Sequence, residues 1–279
     1  MEEFESTVTA LRARLGDCTP AERKVARVLL AGLPAVGFET VAAIAERAGV
    51  SGPTVLRLLA RLGFRGLPDF QQALRRELDD RQASPLVLYD ARADAPEGPV
   101  VFAEAVRRTL DGLPRADVDR VVALLADRRR RPLLVGGRFS RLLAAYLHLH
   151  LVQMREGAVL LGDDPVVRAA GVAGGGARDV LVVFDFRRYE PRLHALARVI
   201  RAQGGAVVLV TDRWLSPIAG TADAVLSCEV DAPSAYDSLV PAMAVVETVV
   251  AGVLAARGDE ARARMAACEQ VARAADLLD

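Results

Sequence analysis

The residues of this chain best suited to meet another molecule are a hydroxyl and two guanidiniums, Thr54, Arg57 and Arg61, spaced three and four residues apart. That spacing places them on one face of an α-helix. Val55, Leu58, Leu59 and Leu62 recur at i, i+3, i+4 and i+7 and supply an inward apolar stripe. A hydroxyl and arginine forks backed by a buried stripe suit the major groove of DNA, where base edges present paired acceptors. Ser51 and Gly52, at the start of the same helix, complete the expected DNA-contact set.

A second group of polar residues lies in the C-terminal half, on loops that each follow a short apolar run. These are Gly136, Gly137, Arg138 and Ser140; Asp185, Arg187 and Arg188; and Ser216. A glycine pair lets backbone approach a ligand, Ser140 offers a hydroxyl and a helix cap, and three guanidiniums would hold an anion. The same residues also fit tight turns whose arginines are solvated or paired with Asp185 and Glu190, and the pattern leaves both readings open.

Metal and covalent chemistry are not indicated. Cys18, Cys228 and Cys268 are scattered and lack C-x-x-C spacing, so inert thiols are expected rather than a disulfide framework or zinc site. His148 and His150 stand two apart and His194 stands alone, whereas helix-borne metal ligands sit three or four apart. No metal, cofactor or catalytic residue is predicted.

The elements that must carry these groups are legible around them. Thr40 is placed to cap a helix bearing Val41, Ile44 and Ala45; Gly49 supplies a left-handed turn; Ser51 is placed to cap the next helix, with Pro53 in its first turn. Two short helices joined by a glycine turn make a helix-turn-helix. Upstream, Thr19 before Pro20 caps a helix with Val25, Val28 and Leu29 inward, and a further helix is expected over Asp69–Leu78. From Val50 to Arg76 there are five arginines, Arg57, Arg61, Arg65, Arg75 and Arg76, against Asp69 alone, in a chain of zero net charge. A local cationic patch on a neutral protein points to one anionic surface.

Three zones follow: a helical DNA-binding domain over 1–81, a linker rich in Ala, Ser, Pro, Asp and Gly over 82–99, and an α/β domain over 100–279. In the last, helices over 100–113 and 116–130 precede strands at 132–135, 158–161, 179–184, 206–211 and 224–228. Helices at 140–155, 164–172 and 190–203, and a turn near 216–220, alternate with them. Strands apolar on both faces, alternating with helices, predict a doubly wound parallel sheet, so the fold class is α plus α/β. Two helices, 236–257 and 259–278, close the chain. Leu239–Ala256 is apolar around most of its circumference but contains Pro241 and Glu247, so a core or subunit-interface helix is expected rather than a membrane span. A homodimer or dimer of dimers would then match an inverted-repeat operator. The acidic opening Met1-Glu-Glu-Phe-Glu lacks a secretory signal, so the expected location is cytoplasmic.

The segments Thr19-Pro-Ala-Glu-Arg-Lys-Val-Ala26, Ala45-Glu-Arg-Ala-Gly-Val-Ser-Gly-Pro-Thr-Val-Leu-Arg57 and Leu62-Gly-Phe-Arg-Gly-Leu-Pro-Asp-Phe70 resemble the N-terminal domain of RpiR/MurR-type bacterial transcriptional regulators. The second half resembles the SIS (sugar isomerase) domain, through Val135-Gly136, Ser140, Asp179-Val-Leu-Val-Val-Phe184, Val210-Thr211-Asp212, Ser216-Pro-Ile-Ala219 and Ala222-Asp223. The resemblance implies a regulator that binds a double-stranded DNA operator and dimerises through the SIS domain. It also implies a small-molecule effector, a sugar phosphate or other anion, and adds Thr211 to the effector-site residues. The chain departs from the family where a Ser-x-Ser-Gly-x-Thr loop is usual: it carries Asp185-Phe-Arg-Arg-Tyr-Glu190, and Arg138 replaces the second glycine of Gly-x-Gly-x-Ser. Bulky guanidiniums in place of small hydroxyls fit a carboxylate or other anion held by arginine forks. Two alternatives stand beside this reading. One is an SIS-type isomerase or lyase using Glu247 or His194 as base; the other is a regulator whose α/β domain only assembles the oligomer.

Overall fold

The computed structural model describes residues 7, 10, 11, 14–82, 84–91 and 98–277. The chain divides into two compact units, Met1–Ser84 and Pro85–Asp279.

The first unit contains α1 (Pro20–Gly32), a 3-10 turn (Val36–Phe38), α2 (Val41–Ala48), α3 (Gly52–Arg61) and α4 (Leu67–Gln82). Thr19 and Glu22 form a capping box: the Thr19 hydroxyl accepts from Glu22 N at 3.3 Å and the Glu22 carboxylate accepts from Thr19 N at 2.9 Å. Two orphan amides are satisfied at once, which fixes where α1 starts. The Thr40 hydroxyl caps α2 by accepting from Ala43 N at 3.2 Å. Gly49 ends α2 at φ 60°, a left-handed conformation that costs glycine nothing, and this permits the sharp turn into α3. Val25, Leu29, Ile44, Val55, Leu58, Leu59 and Phe70 are buried together. Each such side chain contributes about 1.5–3 kcal/mol by leaving water, and together they set the angle at which α3 is held.

The second unit opens with α5 (Pro85–Ala91), α6 (Gly98–Gly112) and α7 (Arg115–Ala126). Then follow β1 (Arg131–Gly136), α8 (Arg141–Met154), β2 (Val159–Leu160), α9 (Pro165–Val172), β3 (Asp179–Phe184), α10 (Pro191–Ala202), β4 (Ala206–Asp212), a 3-10 turn (Pro217–Gly220), β5 (Ala224–Cys228) and α11 (Val240–Ala274). The five strands are parallel in the order β2-β1-β3-β4-β5. Successive strand side chains alternate between faces. Leu134, Val182, Phe184 and Val208 therefore pack with α7, α8 and α11, while Leu133, Val135, Leu181 and Val183 pack with α10. Because α8 and α10 cover opposite faces, the connections diverge between β1 and β3, and that divergence opens a crevice at the strands' carboxyl ends.

The stretch expected to be a linker contains α5, since Pro85 occupies a first helical turn, where a missing N–H is tolerated. Residues 83 and 92–97 of that stretch, like the acidic opening residues and Leu278, lie outside the described residues. The final helix begins at Val240 rather than Tyr236 and is interrupted at Gly258 (φ 48°, ψ −122°), where the sequence reading also divides it. The later start leaves Tyr236 and Asp237 in a loop beside the crevice. By length and composition α11 is apolar enough to cross a membrane, yet Val245, Val246, Val249 and Val253 are buried in the domain core.

Candidate DNA-contact face and effector cleft

On α3 Val55, Leu58 and Leu59 are buried, with Leu62 half-buried just past the helix end, and Pro53, Leu56, Arg57, Ala60 and Arg61 form the exposed face. Thr54 departs from expectation. It lies four residues before Leu58, on the flank of the stripe, and is only 4% exposed. Its hydroxyl accepts from Arg57 Nη2 at 3.0 Å and shares a 3.1 Å hydrogen bond with the Ser51 hydroxyl. Ser51 holds the N-cap position without capping any backbone amide, so the two hydroxyls orient Arg57 instead. A Cβ on Gly52 would stand 3.3 Å from Val41 Cγ1, so that glycine serves the close approach of α2 and α3. Arg61 lies 3.4 Å from the buried Glu22 carboxylate. The Thr19 backbone N–H, then the Thr19 hydroxyl, and after them Arg61 hold the Glu22 carboxyl below its usual range.

At the sheet's carboxyl edge the polar residues are mostly turned inward. A Cβ on Gly136 would sit 2.5 Å from Arg141 N and 2.6 Å from Ser140 O, so this glycine lets α8 dock on the end of β1. The expected cap at Ser140 is absent. Its hydroxyl donates to Phe184 O at 2.6 Å and accepts from Gly137 N at 2.8 Å, tying β1 to β3. Asp185 is buried, accepting from Ser216 Oγ at 2.5 Å and Glu190 N at 3.1 Å; Thr211 Oγ1 donates to Asp185 O at 2.7 Å and accepts from Ser216 N. Asp212 accepts from the Tyr189 hydroxyl at 2.6 Å, Trp214 N at 3.0 Å and Arg187 N. Arg187, expected as an open cation, is buried: its guanidinium forms a two-pronged pair with Asp237 and lies 5.1 Å over the Trp214 ring.

Two adjoining clefts remain, with Gly137, Arg138 and Glu190 as their shared ridge. The first, about 180 Å³, is walled by Phe139, Phe186, Tyr236 and Leu239, with Ser140, Asp185, Arg187 and Arg188 at its polar side. Arg188 is exposed and holds φ at 62°, an uncommon conformation for a side chain of its size. The second cleft, about 350 Å³, is lined by Arg138, Arg141, Arg168 and Arg192 with Asp163, Gly136 and Glu190. Its four guanidiniums outnumber its two carboxylates. The Arg138 backbone N–H donates to Glu190 Oε1 at 2.9 Å. Thr211 and Ser216 lie beneath these clefts and line neither.

Several lining residues escaped the sequence reading. Arg141 and Arg192 occupy first turns of helices that follow strands, a position that marks them as candidates. Arg168 and Tyr236 carry no such signal. Glu247, put forward as a base, accepts from the Tyr146 hydroxyl, and neither it nor His194 lines either of these two clefts. Among the described residues no group of three or more His, Cys, Asp or Glu could hold a metal ion. Burial pushes the Cys18 and Cys228 thiols up, away from reactive thiolate.

Known proteins share both halves. The rpiR-family helix-turn-helix domain matches residues 6–81, and the SIS domain matches 124–252. The HTH-type transcriptional regulator HexR of Escherichia coli is 25% identical over 267 residues, covering 90% of this chain and 89% of that protein. HexR of Pseudomonas aeruginosa is 27% identical over 265 residues, covering 90% and 88%. The fold is that of the Vibrio vulnificus NanR protein complexed with ManNAc-6P, at TM-score 0.54 and 20% identity over 95% of this chain and 97% of that one. The sugar isomerase domain of an RpiR transcription factor from Sphaerobacter thermophilus superposes at TM-score 0.57 and 21% identity, over 61% of this chain and 94% of that one. These relatives are regulators rather than enzymes, and with both domains present in the family's order the chain is an RpiR-family transcriptional regulator carrying a SIS domain.

Proposed function

We propose that this regulator works in the bacterial cytoplasm as a homodimer, or a dimer of dimers, on an inverted-repeat operator. α3 enters the major groove, and a small organic anion bound at the paired clefts changes operator affinity. The observation that carries the reading is the exposed face of α3: its stripe is sealed in the core while Arg57 and Arg61 stay at the surface, Arg57 braced by Thr54 and Ser51. A braced guanidinium loses less freedom on meeting a base, which favours readout over general attraction. Ser51 and Gly52 act behind it as positioning residues. Dimerisation is supported by exposed Leu142 and Leu149, which flank Tyr146 on one side of α8, together with Val240 and Leu254 on α11.

The test is operator selection from random DNA with the full-length chain, followed by anisotropy titration of wild type and Arg57→Ala/Arg61→Ala. An inverted repeat, bound by a dimer and lost by the double variant with its fold intact, is the expected result. A monomer by light scattering at micromolar concentration, or unchanged affinity in the double variant, would overturn it.

A further inference from the structure

Resting on that reading, we infer that the effector is an amphipathic organic anion, an arene or short acyl body with one carboxylate or phosphate head, rather than a polyhydroxylated sugar phosphate. The inference comes from which groups at the clefts are already committed. A sugar is recognised through many hydrogen bonds to its hydroxyls, and a site built for them loses affinity steeply when they go unmatched. Here Ser140 spends its hydroxyl joining Gly137 to Phe184. Asp185 and Asp237 are occupied by Ser216 and Arg187, and Glu190 holds the Arg138 amide. Beside the exposed Arg138 and Arg188, which can meet an anionic head, what the first cleft leaves open is carbon: the rings of Phe139, Phe186 and Tyr236 and the side chain of Leu239.

The adjoining cleft is chemically opposite. Arg138 and Arg192 are exposed, and Arg141 and Arg168 share a single partner carboxylate, Asp163, at 3.9 Å and 3.3 Å. A head group with one or two negative charges offsets the excess of guanidiniums and takes bidentate hydrogen bonds from them. Both clefts meet along Gly137 and Arg138, so one molecule can lay its body against the aromatic walls and its head among the arginines. Phe139 and Tyr236 are 64% and 62% exposed, large aromatic surfaces at the mouth of a cleft that an apolar body would cover.

The experiment is isothermal titration of the full-length chain with four probes: inorganic phosphate, phenyl phosphate, phenylacetate and a hexose 6-phosphate. The three phosphates share a head and differ in the body. Phenyl phosphate is expected to bind at least about ten-fold more tightly than the hexose phosphate and than phosphate alone. Phe139→Ala/Tyr236→Ala should remove that preference while keeping the weak affinity for inorganic phosphate. Arg138→Ala/Arg192→Ala should weaken every probe by about ten-fold or more. All four side chains are exposed, so both double variants should fold, and thermal melting checks this. Hexose phosphate binding as tightly as phenyl phosphate overturns this inference and leaves the anion-sensing reading standing. Failure of every probe to bind overturns the sensing reading itself, and this inference with it.

Discussion

The two places where this protein offers cations to another molecule are built in opposite ways. On α3 the guanidiniums stand at the surface of a small helical unit, Arg57 with two hydroxyls behind it and Arg61 with one carboxylate beside it. At the end of the parallel sheet, Arg187 is sealed between Asp237 and Trp214, Asp185, Thr211 and Ser216 bond to one another, and Asp212 accepts from loop amides and the Tyr189 hydroxyl. A helix face can stay open because its own backbone is already hydrogen-bonded. Loops leaving a sheet have no such ladder, so their polar side chains are drawn inward to satisfy amides. The cations left open there, Arg138, Arg188 and Arg192, stand outside that knot.

This contrast predicts that polar side chains at the sheet edge govern stability, whereas those on α3 govern binding. The largest effect belongs to Asp212→Ala. It removes the carboxylate that accepts from the Tyr189 hydroxyl and from the Arg187 and Trp214 amides and should cost the α/β unit about 3 kcal/mol, read by denaturant unfolding. A loss near zero would break the contrast. Arg57→Ala should leave unfolding unchanged while weakening operator binding by about 1–3 kcal/mol and relaxing sequence preference.

Thr19→Ala should remove about 1 kcal/mol of stability through loss of the α1 cap, measured by exchange of α1 amides. Glu22 adds a pH dependence. Its folded carboxyl titrates below the ordinary value of about 4.3, so its contribution is complete above that pH and fades as acid is added. Glu22→Gln should flatten that acid limb. The smallest effect concerns thiols: buried Cys18 and Cys228 should resist alkylation in the native protein, and half-exposed Cys268 should react first, as mass spectrometry would show. Modification of Cys228 ahead of Cys268 would mean the sheet opens more readily than its packing implies.

The same contrast explains what could be read from the residues alone. Periodicity fixes which side of a helix is buried, so α3, its stripe and the Gly49 turn were legible, as were the strands, whose apolar runs need both faces covered. Thr54 fell on the boundary of the stripe, where a rotation of a few tens of degrees decides burial. Loops lack a period. Nothing in Asp185-Phe-Arg-Arg-Tyr-Glu190 reveals that Asp237, fifty residues beyond Arg187, neutralises it, or that Ser140 and Ser216 turn inward. The aromatic wall was missed because the final helix starts four residues late, leaving Tyr236 in a loop.

Trp214, the chain's single tryptophan, is 6% exposed, and the Arg187 and Arg213 guanidiniums lie over its ring at 5.1 Å and 4.6 Å. Its indole therefore sits in a water-poor setting with two positive charges close to the ring. Any rearrangement of the loop that carries Arg187 alters the field on that indole. Native fluorescence thus reports on this one loop without a label, and the Phe and Tyr residues elsewhere leave the signal unmixed when excitation is confined to the red edge of absorption.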